Sequence, residues 1–189
     1  MRAAAPFLLV AAIACRLPAQ PRPTAEEGDW AAARERFTRT GKLYDGLAAN
    51  AFIRAVYLPR AVREARVARV ATWKVLSVEE TEKLLATERD EAANFEDFQI
   101  DLFTPVPADN DLDASKSVWR IALVVPGAPD RLPLGVEQVR PDAMLRTLYP
   151  GIGDFDVVYH VRFQRTGSLE GKSFVLRLAG AKGRLDLQY

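Results

Sequence analysis

His160 is the single histidine of this 189-residue chain, and that alone removes many mechanisms. A zinc enzyme ordinarily draws on two or three histidines or on thiolates, and the only cysteine is Cys15, near the N-terminus. A Ser-His-Asp arrangement would have to use His160, yet no nucleophile elbow exists: Thr166, not glycine, stands two residues before Ser168. Asp156 lies four residues from His160, on the same face of an extended segment but too far along it to orient the ring. His160 is kept as a candidate site residue, with a solvated or structurally hydrogen-bonded histidine as the preferred reading.

Carboxylates offer the other chemistry. Asp109, Asp111 and Asp113 alternate in the run Asp109-Asn110-Asp111-Leu112-Asp113, a spacing that can wrap Ca2+ as the first half of an EF-hand does. The second half is missing, because Ala114 stands where the glycine belongs and Arg120 where the bidentate glutamate belongs. Aspartate and asparagine also favour turns for local reasons, and the turn is the preferred reading. Glu82, Glu88 and Glu91 can supply carboxylates from a helix surface, where such acids are usually solvated. Acids converging from distant positions escape any motif search, so a hydrolase with paired carboxylates stays open. Phosphate-cradling loops are absent, since Gly151-Ile152-Gly153 lacks a third glycine and leads into a strand. No motif set of a named family is matched.

Charge adds further exclusions. Twenty-six Lys and Arg nearly cancel 25 Asp and Glu, so no strong field points to nucleic acid or to an acidic membrane surface. Trp73 beside Lys74 and Trp119 beside Arg120 read as packing, with no oligonucleotide platform.

The N-terminus reads as an address. Met1 and Arg2 precede an apolar run, Ala3 to Ala14, too short to span a bilayer, as in a signal peptide over residues 1–19. Ala12-Ile13-Ala14-Cys15 resembles a bacterial lipobox, with Cys15 as the lipidation residue, although Ala12 stands where leucine is usual. Leu17-Pro18-Ala19 suits an ordinary signal peptidase equally well, in which case Cys15 is merely a small apolar residue of the removed peptide. Removal through Ala19 would take Arg2 and Arg16 and leave a formal charge of minus one. Residues 20–28 form a linker stiffened by Pro21 and Pro23.

Residues 29–189 are expected to make one globular domain, mainly helical over 29–95 and mainly antiparallel β over 96–189. Thr24 or Asp29 caps a first helix that carries Trp30, Ala33 and Phe37 on one face and stops near Gly41. Lys42 to Leu58 is ambiguous, with an apolar end that suits a strand. Pro59 opens a helix through Lys74 on which Arg60, Arg63, Arg66 and Arg69 drift round a solvated surface. Ser77 to Glu80 is a capping box for a helix ending near Asn94, with Val78, Leu85, Ala92 and Phe95 near its inner face.

Strands follow. Phe98, Ile100 and Leu102 alternate with Gln99, Asp101 and Phe103, and Val118 to Val125 reads as a central strand buried on both faces. A short strand fits Val136 to Val139, and Asp142 caps a brief helix through Leu148. In Phe155 to Arg165, the side chains of Phe155, Val157, Tyr159, Val161 and Phe163 share one buried face. A terminal hairpin turns at Gly180 to Gly183.

The fold class implied is α+β, with N-terminal helices packed on a C-terminal antiparallel β-sheet or β-sandwich. The function implied is that of an exported bacterial envelope protein, a non-enzymatic binding or assembly module, periplasmic, secreted, or membrane-attached through a lipid at Cys15. The partner would be an envelope protein or ligand, and no cofactor is called for beyond the Ca2+ alternative. The paired-carboxylate hydrolase and a calcium-stabilised exported domain are the alternatives.

Overall fold

A computed structural model describes residues 28–189. The signal peptide over residues 1–19 with Cys15, the cap at Thr24 and nearly all of the 20–28 linker lie outside the described residues.

The first helix, α1 (Gly28–Arg36), is short because β-branched Thr38 and Thr40 follow it, and the chain turns into strand β1 (Thr38–Asp45). Gly41 is therefore no helix stop. It sits inside β1, where an added Cβ would come within 3.0 Å of Leu187 Cδ2. Gly46, at a φ of 57°, turns the chain through two residues into β2 (Ala48–Tyr57), which resolves the ambiguous segment as a hairpin. Alternation then divides β2 in two. Ala51, Ile53, Ala55 and Tyr57 face one core, and Val56 faces another that continues into Leu58.

Helix α2 (Arg60–Lys74) starts after Pro59, whose missing N–H and fixed φ suit a helix entrance. It ends on Val75, a β-branched residue in the left-handed region at a φ of 51°. Helix α3 (Val78–Asn94) has the capping box in full: the Glu80 N–H donates to Ser77 Oγ, and the Ser77 N–H donates to Glu80 Oε2. Val78 lies exposed at the start of α3 instead of on its inner face.

Strand β3 (Phe95–Phe103) is the axis of the molecule, buried along nearly its whole length. The remaining elements are β4 (Trp119–Val124), β5 (Gly135–Val139), α4 (Ala143–Leu148, capped by Asp142), β6 (Val157–Gln164), β7 (Val175–Gly180) and β8 (Gly183–Gln188). They form a five-stranded antiparallel sheet in the order β1-β2-β3-β6-β5 and a three-stranded one in the order β4-β7-β8.

The fold is thus α+β with two antiparallel sheets, and three expectations need correction. The helices are not all N-terminal, because α4 lies between β5 and β6. The larger sheet is not wholly C-terminal, since β1 and β2 build one side of it. β4 is an edge strand of the small sheet, with Arg120 exposed, so its apolar run reflects one packed face and not burial on two sides. Phe155 also departs from the strand pattern: it precedes β6 and is 80% exposed, while Tyr159, Val161 and Phe163 are buried as their alternation requires.

Two apolar cores result. Phe98, Ile100, Leu102, Tyr159 and Phe163 pack against Ile121, Leu123, Leu176 and Leu178 of the small sheet. On the opposite face, Val56, Leu58 and Val158 pack against Trp30, Val62, Leu148 and Tyr149. Trp30 anchors α1 there, its Nε1 donating to Leu148 O at 3.0 Å. The five-stranded sheet is therefore covered on both faces around β3, and the polar side chains of β3 must find partners inside.

Candidate functional site

The polar residues of β3 that point toward the helices are Asp97, Gln99 and Asp101, at a period of two. Antiparallel register sets Arg162 and His160 of β6 opposite Asp97 and Gln99, and Arg54 of β2 opposite Asp101. Helix α2 contributes Arg63 and Arg66 from above, and α3 contributes Glu88 and Glu91. One row of side chains thus runs across the covered face of the sheet, and its two ends differ.

At the Asp97 end every charge is matched. Arg162 grips the carboxylate with two bonds of 2.9 Å, Nε to Oδ1 and Nη2 to Oδ2, and Arg63 donates its Nη2 to Oδ2. The other Arg63 donors go to Glu88 Oε2 and to Leu58 O, each at 2.9 Å. Arg66 donates Nη2 to both oxygens of Glu88, and Arg162 also pairs with Glu91. Burial by itself would raise the Asp97 pKa, but the facing His160, Arg162 and Arg63 outweigh it and hold the carboxyl well below the usual range. The arginines expected on a solvated face of α2 are therefore partly internal, Arg63 being buried outright.

His160 joins this end. Its Nε2 stands 3.6 Å from Asp97 Oδ2, and the ring is one-third exposed. The structure gives it a carboxylate partner, but that partner is Asp97 on the neighbouring strand and not Asp156 on its own. Among the described residues no serine hydroxyl bonds to either member of the pair.

The Asp101 end is different. Asp101 is 3% exposed, and only one of its oxygens is hydrogen-bonded, Oδ1 accepting from Gln99 Nε2 at 3.2 Å. Among the described residues Oδ2 has no hydrogen-bond partner, and the nearest cation, Arg54 Nη1, stops 3.9 Å away. Burial is the main cause of a pKa raised to about 6, the charge of Asp156 pushes the same way, and Gln99 and Arg54 offset only part of it.

Space adjoins this carboxylate. A cleft of about 260 Å³ is lined by Asp101, Asp156, Arg54, Thr40, Lys42 and Phe52. A larger one of about 510 Å³ shares Thr40 and Arg54 with it and is walled by Arg34, Glu35, Tyr149 and Gly151. The Arg54 head lies so close to Gly151 that a Cβ there would fall 1.7 Å from Nη1. Asp156 itself is turned to the backbone, its Oδ2 accepting from the Gly153 N–H at 2.7 Å. The arrangement can do two things. It can bind a polar group that donates to Asp101 and accepts from Arg54, and it can move a proton at near-neutral pH.

The acidic loop is elsewhere, beside the small sheet. Asp111 accepts from Ser117 Oγ at 2.8 Å and from the Val118 N–H at 3.0 Å, Asp109 pairs with Lys182 Nζ at 2.9 Å, and Asp113 is exposed. Among the described residues no group of three or more His, Cys, Asp or Glu side chains is placed to hold a metal ion. No described helix is long and apolar enough to cross a membrane.

Sequence reasoning passed over Asp97, Asp101 and Arg54. A signal was present, because the segment FEDFQIDLF places Asp97, Gln99 and Asp101 at strand period inside an apolar run. Such a face ordinarily meets water. Only the packing of the four helices reveals that it is covered.

No family model matches the chain, and no curated protein matches it. Among solved structures it is similar to a "novel protein of unknown function" from Burkholderia pseudomallei K96243, 10% identical over 87% of this chain and 83% of the other, with a TM-score of 0.45.

Proposed function

We propose that the protein is an exported bacterial envelope protein, lipid-anchored through Cys15 or released after Ala19, acting as a non-enzymatic binding module whose ligand site is the Asp101–Arg54 cleft. One observation carries the site: a buried aspartate lines an open cleft beside an arginine, and one of its carboxylate oxygens has no hydrogen-bond partner among the described residues. A buried acceptor left unmade costs free energy, and a ligand donor entering the cleft removes that cost. The ligand is a small polar molecule with a hydroxyl or ammonium group for Asp101 and an anionic oxygen for Arg54. The apolar N-terminal run, with cleavage signals at Cys15 and Ala19, supports the address.

Calorimetric titration of the full chain with L-serine, L-malate and D-glucuronate tests the site. Saturable binding to at least one, lost in both Asp101→Leu and Arg54→Leu, is expected; binding that survives both substitutions overturns it. Mass spectrometry of the mature N-terminus tests the address, and an intact Met1 on protein recovered from cytosol overturns that part.

A second reading, hydrolysis by paired carboxylates, is favoured by Asp156 lining the same cleft and helping to raise the Asp101 pKa. It requires turnover of p-nitrophenyl esters or glycosides with a pH limb near 6 that disappears in Asp101→Asn.

A further inference from the structure

A third pocket, of about 470 Å³, opens between the N-terminal side of α2, the end of α1 and the loop before β7. Its walls are the rings of Phe37, Tyr57, Phe174 and Tyr189. Phe174 and Tyr189 stack in parallel with centroids 4.9 Å apart, and Tyr57 meets Phe174 edge-on at 5.2 Å. Both tyrosine hydroxyls are bonded elsewhere. Tyr57 donates to the buried Glu96, and Tyr189 donates to Ala55 O at 2.9 Å. Tyr57 and Phe174 are almost wholly buried, so the half-buried Phe37 and Tyr189 offer the pocket most of its ring carbon, a surface suited to an aromatic guest.

The rim has the opposite character. Arg36, Arg39 and Lys172 line it against a single acidic side chain, Glu170. Arg39 is fixed by its bond to Gln188 O at 2.6 Å and by its position 4.9 Å over the Tyr189 ring. Arg36 lies over Phe37 and is exposed, as is Lys172, and neither makes an ion pair among the described residues. An apolar aromatic slot below a cationic rim combines the two features a small-molecule site needs, bulk burial and oriented charge.

We infer that this pocket is a second binding site, independent of the Asp101 cleft, and that it takes a planar aromatic monoanion of the aryl carboxylate class. The ring enters between Phe37 and the Phe174–Tyr189 stack, and the carboxylate stays at the mouth between Arg36 and Lys172. Neutral aromatics bind there more weakly, because they leave the rim cations with water alone.

Calorimetric titration of the full chain with 2-naphthoate and with the neutral 2-naphthamide tests this. The acid is expected to saturate one site and to bind about tenfold or more tighter than the amide. The double substitution Arg36→Glu with Lys172→Glu, on exposed positions that leave the core alone, is expected to weaken the acid by about tenfold or more. Ala61→Trp, at the exposed start of α2, is expected to fill the mouth and abolish binding of both compounds. Asp101→Asn leaves both affinities unchanged. No saturation by about 1 mM, equal affinity for acid and amide, or indifference to the double charge reversal overturns the assignment.

Discussion

Asp97 and Asp101 lie four residues apart on the same face of one strand, both buried, and their pKa values are displaced in opposite directions. Burial pushes both upward. Asp97 is pulled back down by Arg162, Arg63 and His160, while Asp101 has only Gln99 and an arginine 3.9 Å away. The closed end of the row is structural in character, and the open end is where the molecule retains an unmet bonding capacity.

Opposite shifts predict opposite pH slopes. For Asp101 the folded pKa, about 6, exceeds its usual 3.8, so the folded state binds more protons between those values and stability falls as pH rises through that window. Lowering the pH from 7 to 4 should therefore recover about 2 kcal/mol from this group. Asp97 is displaced downward, so its contribution is present above the usual carboxylate pKa and is lost as pH falls below it. Glu96, also raised by burial, adds to the first slope, so the test is a difference. Chemical denaturation of wild type and Asp101→Asn at pH 7 and pH 4 should show the substitution stabilising at pH 7 relative to pH 4 by that amount. Identical pH dependence in the two proteins contradicts the buried, unpaired state of Asp101.

Gly151→Ala separates site from fold. The added Cβ meets the Arg54 guanidinium, the far end of a flexible and partly exposed side chain, so the arginine swings away and the backbone need not. Unfolding free energy should change by less than about 1 kcal/mol, while affinity for whichever of L-serine, L-malate or D-glucuronate binds should fall about tenfold. A large loss of stability with unchanged affinity would show Gly151 to be a packing requirement alone.

Val75→Gly should stabilise the protein. A β-branched residue at a φ of 51° carries a penalty of about 1–2 kcal/mol that glycine avoids, and Val75 is 88% exposed, so little packing is given up. Glycine loses more chain entropy on folding, which leaves a net gain of about 1 kcal/mol. An unchanged or lowered melting temperature would mean that Val75 makes a contact that offsets its backbone strain.

Local signals in the chain settled the elements whose determinants are themselves local. The Ser77 capping box, Pro59 at a helix entrance, the Asp142 cap, the turn before Gly183 and the alternation of Tyr159, Val161 and Phe163 each depend on residues within a few positions of one another, and each is in place. Gly41 and the arginines of α2 misled for the converse reason. Gly41 serves contact with Leu187, far along the chain, and Arg63 serves an aspartate 34 residues away.

What the sequence determined was thus the α+β class of fold and the presence of its locally encoded elements, because these follow from composition and short-range spacing. Tertiary structure decided which faces are covered. Whether Asp97, Gln99 and Asp101 meet water or protein depends on helices that pack over β3 from other parts of the chain, and a two-residue period is the same in either case. The meaning of each carboxylate, one locked by arginines and one facing an open cleft, is set by that packing.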